Sequence, residues 1–231
     1  MERQFSFSED EFYHVYNRGV EKRKIFMSGH DYERFMALLY VANSSNTLQL
    51  SDFRHKRRLE LFVMPRTSTL VDIGAYCLMP NHFHLLIREK KQGGISTFML
   101  KLGTAYSMYF NKKYQRSGPL FSKPFKATHV TRDVHLRHLF VYTHLNPLEL
   151  IDRNWKDHMR VGSTRKEGHL ESYEYSSYLD YMGSERPQAS ILTKATFPKY
   201  FNSMTDFKNY LDDWVNLSKS GELTQIVKGS P

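Results

Sequence analysis

The chain has 231 residues, of which 40% are hydrophobic and 14% aromatic, and its 33 Lys and Arg against 24 Asp and Glu give a net charge of +9. That apolar content excludes a disordered chain, and the length suffices for one large core or a core with an appendage. A single cysteine, Cys77, excludes a disulfide framework, and no run approaches the roughly 18 apolar residues of a membrane helix, so the composition predicts a cytoplasmic protein with no membrane partner.

Phe12-Tyr13-His14-Val15-Tyr16 alternates aromatic and β-branched residues and predicts a first strand, ended by Asn17-Arg18-Gly19 and followed by the basic knot Lys22-Arg23-Lys24. His30 to Ala42 places Tyr32, Phe35, Met36, Leu39 and Tyr40 at three- and four-residue spacing, which predicts a helix. From Asn43 to Thr69 the pattern breaks into a polar start, the basic run Arg54-His55-Lys56-Arg57-Arg58 and a short apolar piece from Leu59 to Met64, and reads as an excursion. Leu70 to Leu78 predicts a strand, and Met79-Pro80-Asn81 the turn into a second strand from His82, the two making a hairpin.

Gly93-Gly94 opens a long helix with the apolar stripe Ile95, Phe98, Met99, Leu102, Tyr106, Tyr109 and Phe110, which runs out near Arg116-Ser117-Gly118-Pro119. Phe125 to Val130 is expected to be a strand, and Asp133 to cap a helix from Val134 to Asn146 that Pro147 stops. The tail has helical and tyrosine-rich pieces, notably Phe207 to Leu217, without a chemical motif. This order predicts an α+β fold in which an antiparallel sheet is backed by helices, close to the split βαβ plan. Residues 1–150 are expected to form the core, with the excursion at 43–69, and 151–231 a C-terminal extension packed on it with an extra helical segment.

The excess charge is local. Nine basic residues fall between Lys90 and Arg132 with no Asp or Glu among them, and the remainder of the chain balances at 24 of each sign. Tyr106, Tyr109, Phe110, Tyr114, Phe121 and Phe125 interleave the bases. A solvated basic face is one reading of such a run. The other is a surface for single-stranded nucleic acid, which needs cations for its phosphates and rings for its unstacked bases. The nucleic-acid reading is preferred, with Lys112, Lys113, Arg116, Lys123, Lys126, Phe121, Phe125 and Arg18 as candidate DNA contacts.

The most specific chemistry lies in His82-Phe83-His84. Phe83, Leu85 and Ile87 leave one side of the expected strand and His82, His84 and Leu86 the other, so the two imidazoles share a face and make a natural ligand pair for one metal ion. Tyr142 and Asn146 are four residues apart on the helix before Pro147 and therefore lie one above the other. Asn146 offers a carboxamide oxygen as a third ligand, and Tyr142 a phenol that could attack a phosphodiester polarised by the same ion. Each piece also has a plain reading: polar histidines on a half-buried strand, a core tyrosine, and an asparagine that ends a helix.

Together these residues carry a resemblance. His82-Phe83-His84 after Met79-Pro80-Asn81 resembles the HUH signature of single-tyrosine transposases. Tyr142-Thr143-His144-Leu145-Asn146-Pro147 is similar to their tyrosine helix in the form used by REP-associated tyrosine transposases. The opening Tyr13 to Gly19, the block Gly118 to Phe121 and Phe125-Lys126, and the late Tyr175-Ser176-Ser177-Tyr178 extend the likeness over roughly residues 10 to 183. The resemblance implies a ferredoxin-like core and a DNA endonuclease and strand transferase that uses Mg²⁺ or Mn²⁺. Such an enzyme cuts single-stranded DNA near a REP-like foldback hairpin and holds the 5′ end on tyrosine. By position, His82 and His84 take the place of the metal ligands, Tyr142 of the nucleophile, and Asn146 of the amide, where relatives commonly carry Gln. The resemblance leaves monomer and homodimer both open. A histidine-triad hydrolase would need a third alternating histidine where Leu86 stands, and an RNA-recognition module would need aromatics where these histidines lie. A domesticated protein that binds the hairpin without cutting it remains the alternative.

Overall fold

The computed structural model describes residues 6–46, 58–66, 68–122, 124–155, 164–200, 205–206 and 209–210. Lys123, Arg54 to Arg57 and most of the stretch Phe207 to Leu217 fall outside the described residues.

Four strands form one antiparallel sheet in the order β2-β3-β1-β4: β1 Phe12–Arg18, β2 Val71–Met79, β3 His82–Glu89 and β4 Lys126–Val130. Two helices, α1 Gly29–Val41 and α2 Gly94–Lys113, follow β1 and β3, and α3 Asp133–Leu145 follows β4. This is the ferredoxin-like α+β arrangement, with two short helices beyond it, α4 Thr164–Ser172 and α5 Tyr178–Tyr181. Among the described residues no helix is long and apolar enough to cross a membrane.

Strand parity decides what each face of the sheet carries. Tyr13 and Val15 of β1 and Phe83, Leu85 and Ile87 of β3 join α1 and α2 in the larger core, with Phe35, Leu39, Phe98, Leu102 and Tyr106. On the opposite face Leu86 packs with Leu136, Leu139, Phe140 and Tyr142 of α3. In β2 the parity reverses midway. Val71 and Ile73 belong to the α1–α2 core, and after an irregularity between Ile73 and Ala75 it is Tyr76 and Leu78 that do, while Ala75 and Cys77 turn to the other side. Gly74 occupies the bulge, where a Cβ would collide with the Phe197 ring.

Local chemistry fixes the helix ends. Ser28 and Asp31 form a reciprocal capping box at the start of α1, where Asp31 accepts the Ser28 amide N–H at 2.9 Å. Glu89, fully buried at the end of β3, accepts the Gly94 and Ile95 amide N–H groups at 3.1 and 2.7 Å and so caps α2. Asp133 is not the cap but the first residue inside α3; Arg132 takes the cap position and makes no side-chain cap bond.

The excursion is not wholly without structure. Residues 58–63 make a 3₁₀ turn that sends Leu61 and Phe62 into the α1–α2 core. Beyond α3, residues 175–177 run along the outer edge of β2: the Leu78 N–H donates to the Tyr175 carbonyl at 3.0 Å and the Ser177 N–H to the Tyr76 carbonyl at 2.9 Å. His144 shares a 2.7 Å hydrogen bond with the Ser177 hydroxyl, and burial holds its imidazole down to about 3, so it is neutral.

Candidate active site

Backbone pairing across the middle of the sheet lays out the site on the α3 face. Tyr16 of β1 stands opposite His84 of β3, Arg18 opposite His82, and His14 opposite Leu86. On the other side of β1, Tyr16 pairs with Lys126 of β4. Because all of these share one parity, the face carries His14, Tyr16, Arg18, His82 and His84, with Lys126 at its rim.

The two imidazoles of β3 lie with centroids 5.0 Å apart and planes nearly perpendicular, His84 fully buried and His82 at 7% exposure. His82 Nδ1 lies 2.7 Å from Asn81 Oδ1, and His84 Nδ1 lies 2.9 Å from His14 Nε2. Burial, with His135 adding repulsion, pushes the His14 imidazole down to about 3 and keeps it neutral.

From α3 the Tyr142 ring meets His84 edge-on at 5.6 Å between centroids and His14 at 6.3 Å, while Trp155 stacks on it at 6.3 Å. Tyr142 is only 3% exposed. Asn146, at the end of α3, donates from Nδ2 to the Tyr142 carbonyl at 2.8 Å, which leaves its carboxamide oxygen as the remaining acceptor. Among the described residues no three His, Cys, Asp or Glu side chains converge as metal ligands.

The candidate DNA contacts separate into groups. Arg18 and Lys126 belong to the histidine face, and the Lys126 ammonium sits 5.8 Å over the Tyr16 ring. Lys112 is exposed near the end of α2, which packs on the other side of the sheet. The neighbouring Lys113 is held by Asp31 at 2.6 Å. Arg116, in the loop after α2, donates back to the Asn111 side chain in the last turn of that helix. Lys123 lies outside the described residues. Phe121 and Phe125 line a cavity of about 730 Å³ on the α2 side together with Phe35 and Phe83, rather than facing the histidines. Tyr106 and Phe110, read from the sequence as interleaved rings for bases, are core residues with 0 and 1% exposure.

Residues 38–144 match the family model of IS200-like transposases. Over this stretch the chain is similar to the IS200-like transposases. The matched stretch contains the histidine pair of β3 and Tyr142 of α3, the elements that meet across the sheet. Among solved structures, a REP-associated tyrosine transposase bound to a REP hairpin superposes with a TM-score of 0.50 at 10% identity, covering 88% of this chain and 92% of that one. At that identity the likeness is one of fold. No curated protein matches the chain.

Sequence reasoning missed two residues of this site. His14 enters the sequence reading as a strand residue and as part of the opening that carries the resemblance, with no role of its own, although its alternation with Tyr13 and Val15 is the same signal that singled out His82 and His84. Trp155 lies beyond α3 and nothing in its neighbourhood marks it as the residue that stacks on Tyr142.

Proposed function

We propose that the protein binds a foldback DNA hairpin and cleaves adjoining single-stranded DNA through a covalent 5′-phosphotyrosine at Tyr142. The observation that supports this reading is the edge contact between the Tyr142 ring and His84, two residues far apart in the chain. The phenol oxygen attacks phosphorus and gives up its proton, the bond from phosphorus to the 3′ oxygen breaks, and that oxygen leaves as a protonated 3′ hydroxyl. The 5′ phosphate stays on tyrosine as an ester of comparable energy, so a second 3′ hydroxyl can reverse the step and join strands.

The residues fit a divalent cation. His82 and His84 have their Nδ1 atoms engaged by Asn81 and His14, so Nε2 is the donor each ring would present. The Asn146 carboxamide oxygen and the DNA phosphate would add the oxygen donors that Mg²⁺ or Mn²⁺ favours. A cation held there by His82, His84 and Asn146 would supply Lewis-acid polarisation of the phosphate. Arg18 and Lys126 flank this face and would hold the phosphates on either side of the cut.

Burial of Tyr142 has a consequence for this chemistry. At 3% exposure, with Trp155 stacked on its ring, Tyr142 has to become more accessible before its phenol can meet a phosphate. The same burial favours a second reading, in which the hairpin is bound and never cut. A denaturing gel of the protein mixed with a single-stranded hairpin oligonucleotide and Mg²⁺ or Mn²⁺ decides between them. Cleavage predicts a covalent protein–DNA band that Tyr142→Phe abolishes, with hairpin affinity kept within a few-fold. A band that survives in the Phe variant removes Tyr142 from the role, and binding without any band supports the second reading.

A further inference from the structure

Resting on the proposed cation site, we propose that His14 is a positioning residue that fixes the tautomer of His84. The two rings lie in nearly parallel planes, 9° apart with centroids at 5.1 Å, and share one hydrogen bond between His14 Nε2 and His84 Nδ1 at 2.9 Å. Both residues are buried, at 2 and 0% exposure. A neutral imidazole carries one N–H, so this bond has two possible senses with opposite consequences. If His14 donated, His84 would hold its proton on Nε2 and offer a cation no lone pair. If His84 donates from Nδ1, its Nε2 carries the lone pair and the ring is ready to ligate.

The second sense is the one assigned here. His14 then acts as the acceptor, in the way that a carboxylate or carbonyl commonly orients a metal-binding histidine. Strand pairing supplies the contact: His14 and His84 have the same parity on adjacent strands, two residues out of register on one face, so the sheet itself holds the acceptor in place. His82 has a parallel partner of another kind in the Asn81 carboxamide oxygen, 2.7 Å from its Nδ1. Both rings are thereby backed by an acceptor on the Nδ1 side.

The test is a long-range ¹H–¹⁵N spectrum of histidine-labelled protein at neutral pH without metal, with His84 assigned by His84→Gln. The wild-type protein is expected to show His84 protonated on Nδ1. His14→Gln, which keeps an acceptor, should preserve that signature and bind Mn²⁺ within about threefold of wild type in calorimetry. His14→Phe fills the same space without an acceptor; it should lose the single tautomer and weaken Mn²⁺ by about tenfold. A wild-type His84 protonated on Nε2 overturns the proposal, as does a His14→Phe protein with unchanged tautomer and Mn²⁺ affinity. A wild-type protein that takes up no Mn²⁺ sinks the cation site instead, and the wild-type spectrum still decides the sense of the hydrogen bond.

Discussion

The ammonium of Lys113 lies 2.6 Å from the fully buried carboxylate of Asp31, which also accepts hydrogen bonds from the Tyr109 and Tyr114 hydroxyls and the Met27 N–H. Burial alone would raise the Asp31 carboxyl; the bonds from Lys113, Tyr114, Met27 and Tyr109 outweigh it and hold the group at about 2, below its ordinary 3.8. Because the folded value is the lower one, this stabilisation is complete above about pH 4 and disappears as the pH falls through about 2. Lys113→Met should therefore cost about 2 kcal/mol in urea denaturation at neutral pH. The gap to wild type should narrow between pH 4 and pH 2. A neutral-pH loss below a few tenths of that would mean that Lys113 points to solvent after all. The sequence shows Lys112 and Lys113 as equivalent charges; only the position of Asp31 at the start of α1 tells them apart.

Elements bring the candidate site together through pairing and capping rather than through proximity in the chain. The parity of β3 was legible, because Phe83, Leu85 and Ile87 announce the buried side, and it places both histidines on the other. The parity of β2 past Gly74 is not carried by alternation, since the strand is buried on both faces; the interior glycine is the one local sign of the bulge. The helix α2 illustrates the same limit. Its stripe was readable from Ile95 onward, but the buried carboxylate of Glu89 that receives its first amides belongs to the preceding strand. Glu89→Ala should destabilise the fold by about 1–2 kcal/mol, since it strips the cap from a buried helix start. Urea midpoints compared at constant m-value measure it, and an unchanged midpoint would show that water replaces the carboxylate at no cost.

On the scale of the whole molecule, the residues after α3 act as part of the sheet's environment. β2 is one of the two outer strands, and the segment 175–177 covers its edge with two backbone hydrogen bonds while the Ser177 hydroxyl bonds to the buried His144. Tyr173 donates to the Leu78 carbonyl at 2.5 Å, and Arg186 reaches Asp180 and the Tyr76 hydroxyl. A chain ended after Ser172 would present a bare, apolar strand edge, the arrangement that invites intermolecular pairing. Such a truncation should aggregate or melt at a lower temperature in scattering and calorimetric scans, and a soluble truncated protein with an unchanged melting temperature would refute this role. Tyr175-Ser176-Ser177-Tyr178 carried part of the family resemblance in the sequence; its structural task as an edge cover did not.

The sequence by itself determined the alternation that sets His82 and His84 side by side, the helical spacing of Tyr142 and Asn146, the order of strands and helices, and a charge excess confined to one stretch. These are properties of neighbours in the chain, and neighbours obey the periods of strand and helix. The tertiary structure alone decided that His14 touches His84, that Tyr142 lies buried against Trp155, that Lys113 serves Asp31, and that the phenylalanines of the basic stretch turn away from the histidines. Each of those depends on which strands pair and which face a helix covers, choices made by burying apolar area over the whole core, which no local pattern records.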